Sequence, residues 1–148
     1  MPSGGVPDFL SLKDIKVCKL PKTPVISIVD DDQSVRDAME SLVRSLGYTA
    51  ATFSSAEQYL LSGRVSDSSC LITDLRMPGM SGAELQEVLI ADGYVTPIIF
   101  MTGSRDEAVR TRALSAGAFG FLRKPLDDQS LIDCLKKALR GELPMSAP

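Results

Sequence analysis

Five short apolar runs alternate with stretches of helical period along this chain, and that alternation restricts its fold more than any other feature. The runs are Val25-Ile26-Ser27-Ile28-Val29, Tyr48 to Phe53, Cys70 to Thr73, Pro97 to Met101 and Ala118 to Leu122. Each is bounded by polar residues, Gly or Pro, the pattern of a strand covered on both faces. After the first run, Val35, Ala38, Met39, Leu42, Val43 and Leu46 recur at helical spacing. Asp32 lies in the cap region of that helix, Arg44 in its last turn, and Gly47 ends it. A short helix with Tyr59, Leu60 and Leu61 follows the second run. Ser54 or Ser55 caps it in this reading, with Glu57 as capping-box partner of Ser54. Three more helices are predicted: from about Gly82 (Leu85, Val88 and Leu89 inward), from Glu107 to Ala116 (Val109, Ala113 and Ala116 on one side) and from Asp127 to Arg140. Strict alternation predicts an α/β domain, a parallel sheet with helices on both faces.

The carboxyl ends of such strands share one edge of the sheet, where open α/β sheets hold their sites. Four runs end there, in Asp30-Asp31, Asp74, Thr102 and Lys124. Pro78, Gly79 and Gly82 turn the chain into a loop after Asp74. Convergent carboxylates repel and raise one another's pKa. A hard divalent cation, Mg²⁺ or Mn²⁺, removes that cost and takes oxygen ligands. Asp is a competent nucleophile toward phosphorus, a lysine pairs with phosphoryl oxygens, and a threonine hydroxyl donates to another. Together these are the parts for phosphoryl transfer. Plainer readings exist for single residues. The Asp30–Asp32 run also suits a turn and helix cap, and Phe121 alone reads as core.

Composition narrows the classes. A chain of 148 residues holds one domain with a real core. Its net charge of −3 is unlike that of nucleic-acid-binding domains, so no direct nucleic-acid contact is expected of this segment. No apolar run approaches the ~18 residues of a membrane span, and no leader pattern is read. Cys18, Cys70 and Cys134 are odd in number and widely spaced, as for reduced thiols in a cytoplasmic protein. The absence of histidine excludes Ser-His-Asp or Cys-His catalysis by this chain alone. Residues 1–24 read as a flexible extension, 25–141 as the domain, and 142–148 as a tail or the start of a linker.

Asp30-Asp31, the segment Thr73-Asp74-Leu75-Arg76-Met77-Pro78-Gly79-Met80-Ser81-Gly82, Met101-Thr102-Gly103 and Lys124-Pro125 together resemble the receiver domain of two-component response regulators, closest to the FixJ-type branch. Each motif alone is weak; in this order, each at a strand end, they are specific. The resemblance covers about Val25 to Arg140. It implies a flavodoxin-like (βα)5 three-layer sandwich with strand order 2-1-3-4-5. It implies that Asp74 accepts a phosphoryl group from a sensor histidine kinase, with Mg²⁺ held by Asp30, Asp31, Asp74 and the backbone carbonyl of Arg76. Thr102 and Lys124 would hold the phosphoryl group, and Thr102 and Phe121 would form the switch. Arg76 and Ser104 would tune its lifetime, and Lys124-Pro125 would be a cis peptide. The receiver would not be a turnover enzyme. Its face of fourth helix, fifth strand and fifth helix would change shape, bind a partner or pair two copies, and so control output such as transcription.

Two alternatives stay open on sequence. Asp30-Asp31-Asp32 also looks like the nucleophile loop of haloacid-dehalogenase-type phosphatases, with Asp30 as nucleophile and Asp32 as acid/base. Against it, the Asp74 loop goes unexplained and no cap insertion follows the first strand. Within the receiver reading, the chain is either one part of a longer regulator or a single-domain regulator acting by protein contact.

Overall fold

The computed structural model describes residues 23–103 and 107–141. In chain order its elements are β1 (Val25–Val29), α1 (Gln33–Ser45), β2 (Thr49–Phe53), α2 (Ala56–Leu61), a 3₁₀ turn (Val65–Asp67), β3 (Cys70–Asp74), α3 (Gly82–Ala91), β4 (Ile98–Thr102), α4 (Glu107–Ser115), β5 (Gly120–Arg123) and α5 (Asp128–Leu139). The strands form one parallel sheet ordered β2-β1-β3-β4-β5, the predicted 2-1-3-4-5. The expectations for residues 1–22, for Ser104 and for 142–148 lie outside the described residues.

Period-2 alternation splits the strand side chains between two cores. Ile26, Ile28, Cys70, Ile72, Ile99 and Met101 pack with Met39 and Val43 of α1 and Leu131, Cys134 and Leu135 of α5. Val29, Leu71, Ile98, Phe100 and Phe121 pack on the other side with Tyr59 of α2, Leu85 and Leu89 of α3 and Ala113 of α4. Both faces are therefore dry, which is why the central strands carry few polar residues before their ends. Burial pushes the Cys70 and Cys134 thiols up, Cys134 to about 11, in keeping with packing residues.

Several local expectations are corrected. Asp32 does cap α1, accepting from the Ser34 and Val35 amides. The N-cap of α2 is Ser55, which accepts from the Gln58 amide; Ser54 donates to the Gln58 side chain, and Glu57 takes no part in a capping box. The capping box lies instead at α3, between Ser81 and Glu84. Ala38, Leu61 and Ala116 are exposed, Leu61 by 87%, so the apolar stripes are narrower than their sequence pattern. β3 and β4 each extend one residue further, to Asp74 and Thr102, because pairing with the neighbouring strand continues there.

Candidate functional site

Register delivers the acids to one place. Val29 pairs with Thr73, so the next residues, Asp30 and Asp74, leave adjacent strands side by side. Asp74 pairs in turn with Met101, which sets Thr102 one step beyond it on β4. The Lys124 amide donates to the Thr102 carbonyl at 2.8 Å, bringing β5's end to the same edge. Lys124-Pro125 is cis, as the resemblance implied.

From there the Lys124 ammonium reaches across the sheet. Its Nζ lies 3.0 Å from Asp30 Oδ2 and 3.0 Å from Asp74 Oδ2. Asp30 is fully enclosed; its Oδ1 accepts the Asp32 amide at 2.9 Å, and its carbonyl accepts from Arg36 at 2.7 Å. Arg36 was not singled out in the sequence, where it reads as one polar helix position among several. Asp74 is 9% exposed, enough to meet an incoming group. Asp31 is exposed and completes an acid cluster: one carboxylate oxygen each from Asp30, Asp31 and Asp74 lie within 4.8 Å of one another.

The electrostatics follow from that geometry. Burial raises the Asp30 pKa above the usual carboxylate value, and the Asp32 amide and Lys124 offset this only in part. Burial alone would lower the Lys124 pKa, but its bonds to Asp30 and Asp74 outweigh it and hold the ammonium above the ordinary lysine value. Three carboxylates against one ammonium leave the cluster negative. The carboxylates that converge there offer hard oxygen ligands, the type that Mg²⁺ and Mn²⁺ take. The residues present therefore fit Mg²⁺ or Mn²⁺.

Thr102 is buried, 1% exposed. Phe121 is enclosed too. Its ring centroid is 6.2 Å from that of Phe100, and the Arg110 guanidinium lies 6.0 Å from it on α4. Thr102 and Phe100, two apart on β4, face the same side of the sheet as Phe121. The site's second wall is the chain after β3. Gly82 abuts the backbone of β3: a Cβ there would clash with the Asp74 carbonyl oxygen. The sequence marks Gly82 only as a loop breaker, because this close approach is between segments.

A sequence profile for the response regulator receiver domain matches residues 26–136. The chain belongs to the response regulator receiver family. It is 41% identical over 119 residues to response regulator protein TodT of Pseudomonas putida, covering 80% of this chain and 52% of TodT. It is 37% identical over 120 residues to the transcriptional regulatory protein FixJ of Azorhizobium caulinodans, covering 81% and 57%. The solved structure of the response regulator StyR superposes with a TM-score of 0.75 at 42% identity, over 82% of this chain and 61% of that one. The receiver thus spans about half the length of the curated relatives it matches. Membership leaves the phosphatase alternative without support, and Asp32, its required acid/base, is committed to capping α1. No helix among the described residues is long and apolar enough to cross a membrane.

Proposed function

We propose that Asp74 takes a phosphoryl group from a phosphohistidine on a sensor histidine kinase, in a Mg²⁺-dependent reaction. The observation that carries this reading is the bridging of Asp30 and Asp74 by Lys124 beside three convergent carboxylates. An Asp74 carboxylate oxygen attacks phosphorus, the P–N bond breaks, and the imidazole leaves with its electron pair. Asp30, Asp31, Asp74 and the Arg76 carbonyl would hold the ion, which lowers the cost of bringing an anion to an acidic site. Lys124 exchanges its contact with Asp74 for a phosphoryl oxygen, and Thr102 donates to another. Arg76, two residues after Asp74 in sequence, and Ser104, two after Thr102, would set how long the acyl phosphate survives water.

The donor must reach Asp74 over the loop tops. An apolar groove of about 350 Å³ beside the site is lined by Val35, Ala38, Leu42, Pro125 and Leu126, with Lys124 at its edge. We propose it as a surface that the phosphoryl donor contacts.

Phosphorylation adds roughly −1.5 to −2 charges at Asp74. Thr102 then moves toward that charge and Phe121 turns into the space it leaves, giving up its contact with Arg110. That repacks the α4-β5-α5 face, which binds a partner or a second copy. In the relatives so named the output is transcriptional regulation, and we propose that this receiver controls output in the cytoplasm through that face. The receiver's own chemistry stops at self-phosphorylation and loss of the phosphoryl group.

The test is acetyl phosphate with Mg²⁺, read by intact mass. One phosphoryl group per chain is expected, labile to hydroxylamine, and Asp74→Asn should take up none. An undiminished label on Asp74→Asn, or steady release of phosphate from an aryl phosphate, would overturn the assignment.

A further inference from the structure

The loop that carries Arg76 is fastened at both ends by backbone bonds. The Leu75 amide donates to the Met101 carbonyl at 2.8 Å and the Gly82 amide to the Leu75 carbonyl at 2.9 Å. Its middle is reached from elsewhere. The Met80 amide donates to Glu57 Oε2 at 2.9 Å, across 23 residues of sequence, from the first turn of α2. A Cβ on Gly79, whose φ is +76°, would lie 2.7 Å from that same oxygen. The carboxylate therefore lies directly against the loop backbone, in room that only a glycine leaves. α2 is a firm base for it, since Ala56 and Tyr59 beside Glu57 are fully buried. The Met80 amide holds the Glu57 carboxyl below the usual carboxylate range, so it is an ionised acceptor at neutral pH.

We infer that Glu57 is a positioning residue for the metal site, holding the Arg76–Met80 backbone so that the Arg76 carbonyl is available to the cation. The inference rests on the phosphoacceptor reading above. Glu57 is exposed and touches none of the acids, so its effect on global stability is small. A ligand carbonyl on an unfastened loop must be ordered when the ion binds, and that cost appears as weaker binding.

Two measurements on purified receiver test this: Mg²⁺ affinity by isothermal titration, and exchange of the Met80 amide in metal-free protein by NMR. Glu57→Ala should weaken Mg²⁺ binding roughly 5- to 10-fold. It should also speed Met80 exchange about 10-fold or more, with Tm held within about 2 °C. Glu57→Gln keeps an acceptor oxygen and should restore most of both. Wild-type Mg²⁺ affinity or unchanged Met80 exchange in Glu57→Ala overturns the inference, as does a Gln variant impaired as much as Ala. Those results leave the acceptor role of Asp74 standing; failure of the wild-type receiver to bind Mg²⁺ would remove both.

Discussion

Helices α3 and α4 cover the same side of the sheet and flank the same site, yet they are held differently. α3 begins in a capping box and buries Gly82, Leu85, Gln86 and Leu89. α4 fully buries Ala113 alone, with Val109 and Leu114 half-covered at the core's margin. α3 also presses its N-terminal glycine onto β3, whereas α4 pairs an exposed Glu107 with Arg123 of β5. Exposed pairs of that kind contribute little. The difference teaches which wall of the site can move. The phosphoryl charge proposed for Asp74 would meet a fixed backbone on the α3 side and a weakly attached helix on the other.

The largest test of this contrast removes one leucine from each helix. Leu85→Ala should destabilise the receiver by about 2–5 kcal/mol in urea melts, against about 1 kcal/mol for Leu114→Ala. Equal losses would break the comparison. A smaller effect is expected at the bond joining the two helices. Gln86 Nε2 donates to the Ala113 carbonyl at 3.1 Å, a buried contact that ties the last turn of α4 to α3. That carbonyl also accepts the Ala118 amide, so its loss leaves no orphaned acceptor. Gln86→Met should cost about 1 kcal/mol or less while speeding amide exchange in the end of α4 but not in α3.

The last effect has the opposite sign and concerns the buried carboxylate that Lys124 and the Asp32 amide hold. The Asp30 pKa is raised in the folded state, so its contribution is fully present below the ordinary carboxyl value of 3.8 and is lost as pH rises through the folded pKa. At neutral pH the ionised group therefore costs stability. Asp30→Asn should raise the metal-free Tm at pH 7 by a few degrees, roughly 1 kcal/mol, while weakening Mg²⁺ binding. The gain should shrink as the pH approaches 4. A variant less stable than wild type at pH 7 would mean that the Lys124 pairing outweighs burial.

Much of this was legible from residue order alone. The five apolar runs fixed the class, and the polar residues ending them named Asp30, Asp31, Asp74, Thr102 and Lys124 before any coordinates. That works because strand period and strand-end chemistry are local properties, written within a few consecutive residues. Strand ends were legible only to within a residue or two, since whether Asp74 or Thr102 still belongs to a strand depends on the neighbour's register. Ala38 and Ala116 matched a helical stripe yet stay exposed, because the stripe's useful width depends on how the helix sits on the sheet.

Glu57, Gly82, Gln86 and Arg36 carried no such signal. Glu57 even had a plausible local duty, as a cap partner, that the fold does not give it. Each acts on backbone or side chains that the folded chain brings alongside: an amide 23 residues on, the carbonyl of Asp74, the last turn of a different helix. The sequence by itself determined the architecture and the chemical groups of the site, because periodicity and parallel connection force strand ends together. Tertiary structure alone decided how the loop is fastened and which helix is loose. Those depend on distances between segments, and no local pattern encodes a distance.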